Sequence, residues 1–178
     1  MESLSSPTQS SYKVRAVLMR GGTSRGLFFH EDDLPPALSG RDQLLLAALG
    51  SPDPYGRQLD GLGGATSSTS KVVVIAPSSL RGVDVDYTFG QVSIDRPKIE
   101  YRGDCGNLAA AVGVFANEQG LVRTSPTKSQ VHIHSTNTGQ RIVAWVPTND
   151  GKVKTQGDYR IDGVRGTAAR IDLDFTTP

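Results

Sequence analysis

The stretch CGNLAAAVGVFANEQ, residues 105–119, is the most informative part of this 178-residue chain. It contains no proline, it is apolar around nearly its whole circumference until Asn117, and Gly120 directly after it is a common helix terminator. A helix that lacks a polar face needs protein on every side. The stretch therefore predicts a central helix that is buried all round.

The segments around this helix are predominantly β-like. Only residues 41–49, which Gly50 ends, predict a second and shorter helix. β-branched or alternating runs predict strands at 12–20, 26–30, 71–76, 83–94, 97–101, 129–135 and 141–146, with weaker candidates at 152–161 and 171–175. The fold that reconciles them is α+β, a strongly curved, mostly antiparallel sheet wrapped around the central helix.

The division of the chain follows from its polar segments. Residues 1–11 are polar and Ser-rich without an apolar core, which predicts a disordered leader rather than a secretory signal. Residues 12–178 are expected to form one domain. Residues 51–70 are a Gly/Pro/Ser-rich loop of about 20 residues, a length that is usually functional in a compact domain.

Composition narrows the class of partner. The 19 basic and 18 acidic residues give a net charge of +1 and are scattered, so neither nucleic acid nor an anionic membrane is expected to bind. No apolar run approaches the roughly 20 residues that cross a bilayer. A single cysteine forms no internal disulfide. We therefore expect a cytoplasmic protein whose partner is a small molecule.

Cys105 is a candidate catalytic residue because of its position at the start of the predicted helix. Backbone N–H groups and the positive end of the helix dipole converge there and stabilise a thiolate. The alternative is that this single cysteine is a small buried hydrophobic residue.

Lys71 is the second candidate. It opens a strand of Val and Ile, and it shares a face with Val73 and Ile75 if the strand is regular. A lysine held among apolar side chains can serve as a base. The alternative is a charge that protects a hydrophobic strand from aggregation.

Two glycine-rich loops are candidates for binding carboxylates. The turn at residues 21–24 and the loop at 63–68 offer N–H groups and hydroxyls that a ligand can approach without side-chain obstruction. Arg20 and Ser24 are the expected carboxylate contacts of the first. Ordinary flexible turns are the alternative interpretation of both.

Other polar residues carry weaker signals. Gly106 and Asn107 lie in the first turn of the predicted helix, where amide groups point at an anion or merely cap the helix. His132 and His134 share a strand face, but no further cysteine or histidine accompanies them, so no metal site is expected. Gln91 is a possible polar neighbour of the site.

Four segments together carry a family resemblance. They are MRGGTSRG at 19–26, GLGGATSSTSK at 61–71, CGNL at 105–108 and NTG at 137–139. In these segments the chain closely resembles the PrpF family, methylaconitate and methylitaconate isomerases of the diaminopimelate epimerase-like superfamily. The resemblance extends from about residue 12 to residues 163–169.

The resemblance implies a proton-shifting isomerase of aconitate-like tricarboxylates or methylitaconate-like dicarboxylates that uses no metal and no organic cofactor. Family members have two similar domains, each a curved sheet around a helix, with the active site between them. The chain resembles the first domain only. The resemblance favours Cys105 and Lys71 as the catalytic acid–base pair. The substrate contacts it favours are Arg20, Ser24, Gly64, Ala65, Thr66, Ser67, Ser68, Gly106 and Asn107.

Two positions depart from the family pattern. The family usually has lysine where this chain has Arg25, and a guanidinium keeps the charge and binds a carboxylate with two N–H groups. The family usually has asparagine where this chain has Asp104. A carboxylate beside Cys105 disfavours a thiolate and an anionic substrate unless its side chain turns away to cap the helix.

Three hypotheses of function remain at this stage. The first is an isomerase whose cleft is completed by a second copy in a homodimer or by a partner second domain. The second is a racemase or epimerase of the same superfamily, although the segment at 61–71 resembles the isomerases. The third is a non-catalytic half-domain that binds a carboxylate metabolite or a protein partner, which Asp104 favours.

Overall fold

The computed structural model describes residues 13–176, so the leader predicted at residues 1–11 lies outside the described residues. The described part contains two α-helices, one 3-10 turn and nine strands. The helices are α1 (Leu38–Leu49) and α2 (Gly106–Glu118), and the 3-10 turn is Glu31–Asp33. The strands are β1 (Val17–Gly21), β2 (Ser24–His30), β3 (Lys71–Pro77), β4 (Val85–Val92), β5 (Ile99–Glu100), β6 (Lys128–Ser135), β7 (Arg141–Asn149), β8 (Lys152–Val153) and β9 (Asp172–Thr176).

The strands form one sheet in the order β1-β2-β3-β4-β6-β7-β8, with β5 paired to β4 and β9 paired to β7. The β2–β3 and β4–β6 pairs are parallel, and the other pairs are antiparallel. The mostly antiparallel sheet predicted from the sequence is therefore confirmed. In the parallel β2–β3 pair Leu27 lies beside Val72, so both strands begin at the same edge of the sheet.

The sheet has an apolar cluster on each face, because successive residues of a strand point to opposite sides. Phe28 and Val73 pack on one face against α2, and the ring centroids of Phe28 and Phe115 are 5.7 Å apart. Val72 and Leu45 belong to the cluster on the other face, which α1 covers. One sheet thus separates the side that holds α2 from the side that holds α1.

Packing of α2 against the sheet is close. Leu108, Val112 and Phe115 are fully buried, and burial of each such side chain contributes about 1.5–3 kcal/mol. Gly113 faces β7, and a Cβ atom there would lie 2.8 Å from the Cβ of Ala144. The small residues of this helix therefore let it approach the strands more closely than a leucine-rich helix would.

The ends of α2 agree with the sequence to within one residue. Cys105 is the N-cap, and Gly120, with a φ of +71°, takes the left-handed conformation just after the helix. At α1 the structure adds three residues before the predicted start at 41, while Gly50 ends the helix as expected. Of the weaker strand at 152–161 only β8 is formed.

The expectation that α2 is buried on every side is wrong for one stripe of the helix. The sheet curls around α2 but does not close, since within the described residues β1 pairs with β2 alone. A groove of about 560 Å³ lies between β1 and the segment at 153–171 and leaves this stripe uncovered. The stripe consists of the exposed Gly106, Asn107 and Glu118 and the half-buried Ala110 and Val114.

Candidate active site

Cys105 sits where the loop after β5 turns into α2. Its side chain belongs to the apolar cluster around α2 and is 8% exposed. Its carbonyl oxygen accepts the first helical hydrogen bond from the N–H of Ala109, and the hydroxyl of Tyr87 donates to the same oxygen at 3.3 Å. Tyr87 thereby anchors the backbone of the cysteine to β4.

Lys71 is the first residue of β3 and is also 8% exposed. It alternates with Val72, so its side chain points to the α2 face together with Val73. The ammonium group lies 4.9 Å from the ring centroid of Phe89 and donates to Oε1 of Gln91 at 2.6 Å. The lysine is thus held against an aromatic ring and a neutral amide.

Strand β4 brings the lysine and the cysteine to the same region. Tyr87 contacts Cys105 and Phe89 contacts Lys71. These two β4 residues are two positions apart on one face, a spacing of about 7 Å. The candidate acid–base residues therefore face one strip of β4 on the α2 side of the sheet.

Gly26 shows how closely the elements meet at this point. A Cβ atom on this residue of β2 would lie 2.8 Å from the carbonyl oxygen of Lys71 and 3.0 Å from Cδ1 of Leu108. Strand β2, strand β3 and the first turn of α2 thus converge on a position without a side chain. Ser24, two residues earlier on the same strand face, is buried beside them.

The loop at 63–68 takes its shape from a buried glutamine. Gln58 is almost fully buried, and its Nε2 donates to the hydroxyl of Ser51 at 2.8 Å. Its Oε1 accepts from the backbone N–H of Ala65 at 2.8 Å and from the hydroxyl of Ser70 at 2.6 Å. The side chain of Gln58 therefore links Ser51 and Ser70, the two ends of the segment at 51–70, to Ala65 within it.

Hydroxyl groups line the tip of this loop. Oγ1 of Thr66 lies 3.0 Å from Oγ of Ser68 and 2.8 Å from Oγ1 of Thr69. The carbonyl oxygen of Ser67 accepts from Nε2 of Gln91 at 3.2 Å. Because Gln91 also contacts the lysine, the loop tip is one side chain away from the Lys71 ammonium group.

Arg20 and Asn107 each form a hydrogen bond with the turn between β1 and β2. Arg20 is exposed on the face of β1 opposite to Met19, and its guanidinium donates to the carbonyl oxygen of Gly22 at 2.7 Å. Oδ1 of Asn107 accepts from the backbone N–H of Thr23 at 3.2 Å. The structure thus joins Asn107 to the turn, while Arg20 lies on the opposite face from Lys71.

Asp104 turns away from the helix. Its two carboxylate oxygens accept from the hydroxyl of Ser135 at 2.6 Å and from that of Thr138 at 2.7 Å, and the N-cap residue Cys105 makes no side-chain capping hydrogen bond to α2. The reason is tertiary: the β6–β7 turn lies beside the residue and offers two hydroxyl donors. Asn137 of the same turn donates to the carbonyl oxygen of Tyr101. The turn therefore holds the segment that leads into Cys105.

Comparison with known proteins adds to this geometry. Residues 11–178 match the PrpF protein family. The chain belongs to the PrpF family.

Curated relatives agree with this assignment. The chain is 50% identical to the 2-methyl-aconitate isomerase of Shewanella oneidensis over 174 residues, which cover 93% of this chain and 44% of that protein. It is 51% identical to the 4-oxalomesaconate tautomerase of Pseudomonas putida, with 92% of this chain and 45% of that protein covered. The 3-methylitaconate isomerase of Eubacterium barkeri is 46% identical. The PrpF-family chain thus spans less than half the length of the relatives it matches.

A solved structure confirms the predicted fold class. The crystal structure of methylitaconate-delta-isomerase superposes with a TM-score of 0.87 at 46% identity, covering 90% of this chain and 41% of that chain. The α+β architecture expected from the sequence, a curved and mostly antiparallel sheet around a central helix, is therefore the fold that this PrpF-family chain shares with that isomerase.

Two other features of the PrpF-family chain concern metals and membranes. Within residues 13–176 no group of three or more His, Cys, Asp or Glu side chains is placed to hold a metal ion. Nδ1 of His134 lies 3.0 Å from the carboxylate of Asp86, and the backbone N–H of His132 donates to Asp84. In the same part of the chain no helix is long and apolar enough to cross a membrane.

The groove along α2 is separate from the candidate acid–base pair. Gly106, Asn107 and Arg20 line it, but neither Cys105 nor Lys71 does. The groove and the buried polar groups that converge on β4 are therefore two distinct features of the described residues.

Reasoning from the sequence missed the supporting residues. Gln58 and Tyr87 carry no motif, and only their tertiary contacts reveal them. In the sequence, Arg25 stands out only as a departure from the family pattern. Its Nε is buried without a hydrogen-bond partner in the described part of the chain, and a Cβ on Gly64 would lie 2.8 Å from its Nη2. A guanidinium therefore lies against the loop at 63–68.

Because the phenol of Tyr87 is buried, we expect the protein to lose stability at alkaline pH. Burial, with the neighbouring Cys105 and Asp104, raises the pKa of the Tyr87 phenol far above its usual value of about 10. The unfolded chain loses this proton near pH 10 while the folded chain keeps it, so the free energy of unfolding falls as the pH rises above about 10. Tyr87→Phe is expected to weaken this fall in urea unfolding between about pH 8 and 11.

A second tyrosine, the half-buried Tyr101, also contributes to the pH dependence of stability expected for the Tyr87→Phe variant. Burial and a hydrogen bond to Asp42 raise the pKa of Tyr101 as well, so the curve of the Tyr87→Phe variant flattens without becoming level. At neutral pH the variant loses about 1 kcal/mol with its hydrogen bond to Cys105. Parallel curves for the variant and the parent would contradict the prediction.

Proposed function

We propose that this chain supplies the acid–base half of a cofactor-independent isomerase, which shifts a proton and a double bond in aconitate-like tricarboxylates or methylitaconate-like dicarboxylates. The observation that carries the proposal is that Lys71 and Cys105 contact one strip of β4 through Phe89 and Tyr87. The names of the relatives, which are isomerases and a tautomerase of such acids, support it.

The reaction needs one group that removes a proton and one that returns a proton. A base takes a proton from the carbon next to the double bond, and the electron pair spreads over the allylic system and its carboxylate. An acid then adds a proton at the far carbon, so that atoms and charge balance. Lys71 and Cys105 are proposed as this pair.

The negative charge that develops needs donors. The first turn of α2 has N–H groups without a side-chain cap, and the positive end of the helix dipole lies there. We propose that Gly106 and Asn107 of this turn, Ser24 near the β1–β2 turn, and the loop at 64–68 bind the substrate carboxylates. Arg20, expected from the sequence to join them, lies on the opposite face of β1 and instead supports the turn through the carbonyl oxygen of Gly22. Neither a metal nor an organic cofactor has a role in this proposal.

The chain spans about 44% of the length of its curated relatives. We propose that residues 12–178 form one domain equivalent to the first half of those proteins. A second copy of the chain, or a partner domain, completes the cleft around the substrate. The proposed setting is the cytoplasm.

The test is proton exchange in D₂O followed by ¹H NMR. The chain is incubated separately with cis-aconitate, 2-methylaconitate, methylitaconate and proline. One of the unsaturated acids is expected to take up deuterium and change its olefinic signals, while proline stays unchanged. Exchange of proline alone would replace the isomerase with a racemase, and binding of the acids without exchange would leave a non-catalytic domain.

The same assay tests the homodimer. Turnover per chain is expected to fall on dilution, in step with dissociation measured by analytical ultracentrifugation. A monomeric mass with turnover unchanged on dilution would contradict the completion of the cleft by a second copy.

A further inference from the structure

We propose that Gln91 is a positioning residue, which fixes the orientation of the Lys71 amine relative to the loop residues Ser67 and Ser70. Oε1 of Gln91 accepts from Nζ of Lys71 at 2.6 Å. Nε2 of Gln91 donates to the carbonyl oxygens of Ser67 at 3.2 Å and Ser70 at 2.9 Å. The role rests on the proposed function of Lys71 as an acid–base group.

The network determines which way the amide points. Both hydrogens of Nε2 are used by the two loop carbonyls. Reversing the amide would set its oxygen against these two carbonyl oxygens and its NH₂ group against the ammonium of Lys71. Oε1 is therefore directed at the lysine by the backbone of the loop, and the loop and the lysine hold each other in place.

Glutamine suits this position better than the other side chains of its length. Glutamate accepts from the lysine but donates nothing to Ser67 and Ser70, and methionine does neither. Gln91 is also the last α2-facing residue of β4 before the strand ends, directly opposite Lys71 in the β3–β4 register. Its backbone is thus set by the sheet, and only its side-chain chemistry is free to vary.

The surroundings of Lys71 are almost free of opposite charge. Within the described residues no carboxylate lies within ion-pair distance of its ammonium group. Glu100 of β5 lies beside Gln91 in the register, but Lys98 holds its carboxylate at 2.9 Å and Arg102 lies 3.7 Å away.

Other titratable groups near Lys71 lie on β2, β4 and α2. On β4 the phenol of Tyr87 lies two positions from Phe89 on the same face. Arg25, the second residue of β2, lies on the opposite face from Lys71, and Cys105 lies at the start of α2. The direct partner of the Lys71 ammonium group is the neutral amide of Gln91. A carboxylate at position 91 would instead hold the proton on Lys71.

Two isosteric substitutions test the role. Gln91→Met is expected to lower kcat by about 10–100-fold, with KM changed less than about threefold, because the amine loses its orientation rather than the substrate its contacts. Gln91→Glu is expected to move the limb of the kcat–pH profile that reports Lys71 to higher pH. Gln130→Met and Gln130→Glu, at an exposed position of β6, are the matched controls and are expected to change neither quantity.

A second readout does not depend on activity. The ¹³Cε resonance of Lys71, assigned by its disappearance in Lys71→Arg, is followed against pH in the whole chain. Its midpoint is expected to rise in Gln91→Glu and to stay constant in Gln130→Glu. Thermal unfolding followed by circular dichroism identifies a variant that has merely lost stability.

The outcomes separate this proposal from the proposed function. If the parent chain isomerises no acid but the Lys71 midpoint still rises in Gln91→Glu, the isomerase is excluded and the contact stands. If the parent turns over normally, and both Gln91 variants keep its kcat and its pH profile, the positioning role is excluded.

Discussion

Lys71→Met is expected to lower kcat by about 10²–10⁴-fold for the acid that the parent chain isomerises. The substitution removes the amine and keeps an unbranched side chain of similar length against the ring of Phe89, so the strand and its packing are retained. Because proton transfer is lost while carboxylate contacts remain, KM is expected to change little. Initial rates measured by NMR or by ultraviolet absorbance of the conjugated product give both constants.

Cys105→Ser is the companion variant. The hydroxyl fills nearly the same volume in the buried site and is far less acidic than the thiol, so a fall of similar size is expected. Since Lys71 and Cys105 act on one substrate, the double variant is expected to be no more than about tenfold slower than the slower single variant.

The control for both variants is Lys152→Met on strand β8, which removes a lysine at an exposed position. Its turnover is expected to equal that of the parent. Full turnover in Lys71→Met or in Cys105→Ser would exclude the assigned acid–base pair. Unchanged binding in all variants, together with an inactive parent, would favour the non-catalytic half-domain.

Gly21→Ala is expected to lower the free energy of unfolding by about 3 kcal/mol. A Cβ atom at Gly21 would overlap the carbonyl oxygen of Asn107 and lie 2.9 Å from Cα of Leu108. These are backbone atoms of the first turn of α2, so no side-chain rotation relieves the overlap. The end of β1 and the start of α2 have to separate.

The same movement reaches the candidate site. Cys105 immediately precedes this turn, and a displacement near 1 Å costs about 10²-fold in rate. Gly21→Ala is therefore expected to lose both stability and turnover, measured by urea unfolding and by the NMR assay. Retention of both would show that the contact between β1 and α2 is looser than the structure has it.

Gly40→Ala is the matched control for this variant. Gly40 lies inside α1, and a Cβ atom there would be 3.4 Å from Cβ of Pro35, an ordinary contact. The same chemical change is expected to leave turnover unaltered and to raise stability by up to about 1 kcal/mol, because alanine favours a helix over glycine. The comparison separates the overlap at α2 from a general effect of replacing glycine.

Features that depend on neighbouring residues could be predicted from the sequence. The bounds of α2 agree because its apolar run and Gly120 act over a few residues. Lys71 lies on the predicted face with Val73, because alternation along a strand is a local property of the backbone. The family segments identified the fold, and the superposition with methylitaconate-delta-isomerase confirms it.

Features that depend on residues far apart in the chain could not be predicted from the sequence. The pattern of α2 indicates that it is apolar, but the open stripe exists because β1 gains no second neighbour among the described residues. The orientation of Asp104 depends on hydroxyls more than thirty positions away. The sequence indicates Gln91 only as a possible polar neighbour of the site, and its bonds to Lys71, Ser67 and Ser70 show which groups it joins.

The sequence by itself thus determined the central helix, its N-terminal cysteine, the lysine at the head of a buried strand and the family. Local periodicity and short motifs are sufficient for these, because they act within one element. The tertiary structure alone decided that Cys105 and Lys71 face one strip of β4, that Asp104 turns to the β6–β7 turn, and that Gln91 holds the lysine. Such contacts join residues 18 to 34 positions apart, and only the folded sheet brings them within hydrogen-bonding distance.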